Sequence, residues 1–187
     1  MEFLKELALP QAVEHFHLLL VVEGLIAIVI FPYLGFLLGS SVLSYVYNRR
    51  ARFRDHRLYL RFAKDLIDTA LPNKSLPTFL ALIPGLTLVF ISAQLTQSTE
   101  AISVGLAGYG FVLLLIAVVL LYVHKYTLQL ADILEGYEDL LKKDPRRTAA
   151  LDEIEVYSRK NINSHLRAGR YGIALLALAS FLIVSST

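Results

Sequence analysis

The sequence predicts an all-α integral membrane protein: a four-helix bundle with both termini outside the membrane and a helical hairpin extending its third and fourth helices into the cytoplasm. Three observations carry that prediction. Of 187 residues, 56% are hydrophobic and the mean hydropathy is +0.56, well above an ordinary soluble domain. Gly24 to Asn48, Ser75 to Thr99 and Ala101 to His124 hold no charged side chain, and each run is 24 or 25 residues long. Roughly 20 residues cross a bilayer core as helix. The basic residues, finally, gather in two of the intervening segments.

The chain reads as one membrane domain, 1–187, with spans near 17–47, 76–97, 101–126 and 167–187 and loops at 48–75 and 127–166. The last apolar run, from Tyr171, reaches spanning length if Arg167 and Arg170 extend their side chains to the headgroups. The first loop carries Arg49, Arg50, Arg52, Arg54, Arg57, Arg61 and Lys64. The second carries Lys125, Lys142, Lys143, Arg146, Arg147, Arg159 and Lys160. Positive charge marks the inner side, which puts both basic segments in the cytoplasm and both termini outside; the expected localisation is a bacterial inner membrane with periplasmic termini. Topology accounts for these basic runs, so they do not point to nucleic acid.

Taken in order, MEFLKELALPQ lacks a basic start and a small-residue cleavage pattern. It reads as a short interfacial piece ending near Pro10, with the first span as its own insertion signal. The first helix begins near Gln11, and Pro32 should kink it near mid-membrane. RLYLRFAKDLIDTAL repeats apolar residues at helical spacing between arginines and predicts a helix lying at the inner interface. LPNKSLP breaks the chain before the second span, in which Pro84 and Gly85 form a weak point. A short turn at Ser98 and Thr99 joins the second and third spans.

The third helix continues through LQLADILEGYEDLLKK to a turn at Asp144-Pro145. Positions equally far from that turn stand at one height on the two arms. His124 and His165 are such a pair.

Absent features narrow the chemistry. With no cysteine, disulfides, iron–sulfur ligation and CxxCH haem attachment are excluded within these residues. Nucleophile, P-loop, zinc and dinucleotide motifs are missing too, so catalysis within this chain alone is not expected. Two imidazoles on facing helices are what b-type haem needs in a bundle. His124 and His165 are therefore the candidate iron ligands, with Arg167, Arg170, Lys125 and Tyr171 as propionate partners. The bland reading is a pair of interfacial histidines.

On the outer side, His15 and His17 are two residues apart and cannot share a helix face. His17 has Glu14 at i−3 and is a further haem-ligand candidate, either as the only protein ligand or with a second from another chain or a further domain. The alternative is a polar helix start. Glu23 lies about one and a half turns deeper. With His15 it is the candidate for proton or quinone handling, or for an ion pair with a partner subunit; the bland reading is interface depth. Ser40, Ser41, Ser44, Gln94 and Gln97 suit interhelical hydrogen bonds, and Gly105, Gly108 and Gly110 close helix packing.

EHFHLLLVVEGL, followed by a long helix, a basic stretch with RFAKDL and a second span, is similar to the opening of cytochrome bd quinol oxidase subunit I. That resemblance implies His17, near the outer start of the first helix, as a haem ligand. The arrangement also resembles the membrane-anchoring part of bacterial membrane-bound c-type cytochromes, which implies a periplasmic cytochrome domain after the last span. The expected function is then a membrane subunit or anchor of a respiratory or photosynthetic electron-transfer complex, with haem b and a quinone pool as its redox partners. A cofactor-free structural or accessory subunit is the alternative. A small transporter is a third reading, weakened by nearly apolar mid-membrane positions and no inverted repeat.

Overall fold

The uncharged runs fold as helices that outlast them. The computed structural model describes residues 13–54, 57–95, 101–141 and 148–187. They form α1 (Val13–Arg54), α2 (Arg57–Ala70), α3 (Ser75–Leu95), α4 (Ala101–Leu141) and α5 (Thr148–Ser186). No strand occurs among the described residues. The interfacial N-terminal piece, the Ser98–Thr99 turn and the Asp144-Pro145 turn lie outside them. α1, α3, α4 and α5 are each long and apolar enough to cross a membrane. α1 has 42 residues, about 63 Å of helix against a hydrocarbon core of about 30 Å. α1, α4 and α5 are therefore longer than a bilayer core is thick, whereas α3 is about one membrane thickness.

The four long helices form a ring in which α1 and α4 each touch both α3 and α5. Their centre is Ile30, Leu34, Leu37, Leu88, Leu114, Leu121 and Leu176, all buried. Against the expected flat interfacial helix, α2 doubles back along α1. Tyr47 packs on Tyr59 and Phe62, the Ser44 hydroxyl donates to the Ala63 carbonyl at 2.7 Å, and the Tyr33 hydroxyl donates to that of Ala70 at 3.2 Å. These partners ascend in α2 as they descend in α1, so the helices are antiparallel. The apolar stripe of α2, with Ala63, Ile67, Ala70 and Leu71 buried, covers α1 instead of lipid. Its two alanines let the backbones approach.

α1 runs through Pro32 as one helix. In α3 the turn widens over Thr78–Leu82, and the Ile83 N–H reaches back to the Thr78 carbonyl. Pro84 is the cause: it has no N–H, and its ring presses on the carbonyl four residues earlier. Asn73 caps the start of α3, its side-chain oxygen accepting the Leu76 N–H at 2.9 Å.

The most extensive interface joins α4 and α5. Ala107, Gly110, Leu114, Ala117, Leu121, His124, Leu128 and Ala131 form a buried line on α4, alternately three and four residues apart, with Val118 and Lys125 buried beside it. That is the heptad seam of a left-handed coiled coil, with leucine layers alternating with small ones. His124 occupies a place that Gly110, Ala117 and Ala131 fill with small side chains.

Candidate functional site: a buried polar layer across α2, α4 and α5

At one end of the leucine layers the packing turns polar. His124 and His165 are both fully buried, their ring centroids 6.0 Å apart. His124 Nδ1 lies 2.9 Å from the His165 carbonyl. A carbonyl only accepts, so Nδ1 carries the hydrogen and Nε2 the lone pair. That Nε2 is buried with no hydrogen-bond partner among the described residues. The ring fits its small layer because Gly169 stands opposite: a β-carbon there would fall 2.7 Å from Nδ1. One layer away, a β-carbon at Gly172 would crowd Leu121 at 3.2 Å.

Neighbouring groups extend the layer. The Asn161 side chain donates to the Thr127 carbonyl at 2.8 Å. Lys125, 6% exposed, reaches the Leu71 carbonyl and pairs with Asp68 at 3.2 Å. Gln129 donates to the same carboxylate at 3.0 Å, and the Tyr122 hydroxyl donates to the Asn73 carbonyl at 2.6 Å. Every one of these contacts ties α4 to α5, to α2 or to the α2–α3 connection. At the opposite end the seam is closed by Ser103, which donates to the Ser186 carbonyl at 2.6 Å.

The structure thus brings His124 and His165 together, as their equal distance from the turn predicts. The groups expected beside them do not converge. Arg167 and Arg170 are exposed, and Arg170 lies over the exposed Tyr171 ring at 5.6 Å. Lys125 is committed to Asp68 and to backbone carbonyls. With His124 pressed on the Gly169 backbone, no slot for a porphyrin separates the two rings as packed; iron could enter only if the seam parted.

His15 and His17 are exposed at the far end of α1, with His17 edge-on to Phe16 at 6.4 Å. The side chain of Glu14 lies outside the described residues. Glu23 is half-buried on α1. Of the serines, Ser44 makes the interhelical bond expected of it. Gly105 and Gly108 face open space, and only Gly110 is packed, against Ile183.

Sequence reasoning missed Gly169 and Gly172, for which the signal is their spacing behind His165 in SHLRAGRYG. It also missed Asn48, fully buried on α1 with neither amide atom hydrogen-bonded to a described residue. Nothing local marks that position. No cluster of three or more metal-ligating side chains occurs among the described residues. No protein-family model matches the chain, and no curated protein or solved structure is significantly similar to it.

Proposed function

We propose that the chain is an accessory membrane subunit: a lipid-embedded scaffold that docks into a larger assembly through the outer half of α1. One observation carries this reading. From His15 to Val29 no residue of α1 is buried, and Phe16, Leu18, Leu20, Val21, Leu25, Ile28 and Val29 are all largely exposed. Lipid satisfies the apolar members of that face. It does not satisfy His15, His17 and Glu23, which make no hydrogen bond or ion pair with described residues and call for polar partners at or below the headgroups. In this reading the basic loops face the cytoplasm and both termini the periplasm. The His124–His165 pair serves as an interhelical lock.

The reading is tested by the size of the particle holding the chain in a mild-detergent extract of its native membranes. A particle larger than the single chain is expected, reduced to single-chain size by Val21→Arg or Leu25→Arg while helicity is retained. A chain that runs alone from the outset contradicts the proposal.

A second reading has its own support in the tautomer of His124. An imidazole whose Nδ1–H is held by a carbonyl presents Nε2 as a metal ligand, and that atom has no other partner here. The chain would then be an electron-transfer subunit carrying haem b and exchanging electrons with the quinone pool. It requires the α4–α5 seam to open around the macrocycle, and a visible spectrum separates the two readings.

A further inference from the structure

Beside the polar layer, α3 and α4 flank a groove of about 600 Å³. The widened turn of α3 borders it, with Thr78 and Leu82 both in the lining. Its walls are Pro77, Leu82, Val119 and Val123, with Lys74 and Tyr126 at the mouth.

The polar atoms along its length are already committed. The Tyr122 hydroxyl donates to the Asn73 carbonyl. Thr78 donates to the Lys74 carbonyl just before α3, and Thr127 to that of Val123 within α4. A ligand with polar groups at its buried end would therefore meet no free donor. At the mouth the balance reverses. Lys74 is exposed and has no carboxylate partner among the described residues, unlike neighbouring Lys125 with its Asp68. Tyr126, stacked on Tyr122 at 6.0 Å and 49% exposed, stands on the other side of the opening.

An apolar trough whose one cation has no carboxylate partner among the described residues, with an exposed aromatic ring beside it, complements a molecule with an anionic head and a long apolar tail. We propose that this groove is a binding site for an anionic phospholipid, one acyl chain lying along Val119 and Leu82 and the phosphate held at Lys74 beside Tyr126. The site stands on α3, α4 and the end of the α2–α3 connection, and is independent of what docks on α1.

The test uses the full chain, reconstituted in nanodiscs of mixed phosphatidylglycerol and phosphatidylcholine, then released and weighed by native mass spectrometry with its retained lipid. The chain is expected to retain phosphatidylglycerol preferentially. Lys74→Gln, an exposed substitution with no packing to lose, should lower that preference about fivefold, the effect of one basic side chain at an anionic headgroup. Val119→Trp, on the lipid-facing wall, should lower total retention by filling the trough. Arg50→Gln, an exposed basic residue on α1 away from the groove, should change neither. Equal retention of the two lipids, or a preference untouched by Lys74→Gln, overturns the proposal. So does loss in Arg50→Gln equal to that in Lys74→Gln, which would show only a diffuse basic surface.

Discussion

His124 donates from Nδ1 to the main-chain carbonyl of His165 across the α4–α5 seam, at 2.9 Å. The bond is made only because Gly169, one turn beyond His165, leaves room for the ring. Histidine, carbonyl and glycine act together, and the first prediction follows from their crowding. Gly169→Ala places a methyl group 2.7 Å from Nδ1, so ring or helix must move, at a cost of about 1–3 kcal/mol. Most of that cost should vanish in a His124→Ala background. Thermal unfolding of the four variants in detergent gives the coupling directly, and strictly additive losses would show that ring and glycine do not share a space.

The α2–α3 connection hangs on Lys125. Its ammonium joins Asp68 and the Leu71 carbonyl while almost entirely buried. Lys125→Met keeps the bulk and removes these bonds, with an expected loss of about 1.5–3 kcal/mol. Hydrogen exchange should rise most at 71–74. If it rises no more there than elsewhere, the lysine does not hold the connection.

Antiparallel packing of α2 on α1 makes a geometric prediction that the cysteine-free sequence lets one read cleanly. The doubly substituted Ser44→Cys, Ala63→Cys chain should oxidise readily to an intramolecular disulfide, because the Ser44 hydroxyl touches the Ala63 backbone at 2.7 Å. Leu43→Cys with Ala63→Cys should not, since Leu43 is exposed on a different face. Equal cross-linking of both pairs would mean that α2 is not held on α1.

The proposed orientation predicts labelling from opposite sides. Ser158→Cys, on the stretch of α5 beyond the polar layer, should react with an impermeant maleimide only in inside-out vesicles. His15→Cys should react only in right-side-out ones. The reverse pattern would place the basic segments outside, against the charge asymmetry of the loops.

Much of this architecture is legible in the chain because membrane helices must satisfy their own backbone, leaving hydropathy to mark them. The level placement of His124 and His165 follows from rise per residue alone. The course of α2 was not legible: an amphipathic stripe of Leu60, Ile67 and Leu71 serves equally to face headgroups or a neighbouring helix, and only tertiary contact decides. The α4 seam was present as a three-four alternation from Ala107 to Ala131, but in a uniformly apolar helix the hydropathy signal does not distinguish seam from lipid face. For the same reason Gly105 and Gly108 look like packing residues and are not. Arg167 and Arg170, two and five residues after His165, fall on the far side of α5 by helical geometry. Asn48 has no local signature, since burial of a lone amide depends on the helices around it.

The most direct measurement is a reduced-minus-oxidised visible spectrum of the full chain purified from its native membranes, with pyridine haemochrome quantitation. An accessory subunit whose buried histidines lock two helices together predicts a featureless spectrum from well-folded protein. A b-type α-band at one haem per chain, abolished by His124→Ala, would contradict that account and make the parted seam an electron-transfer site.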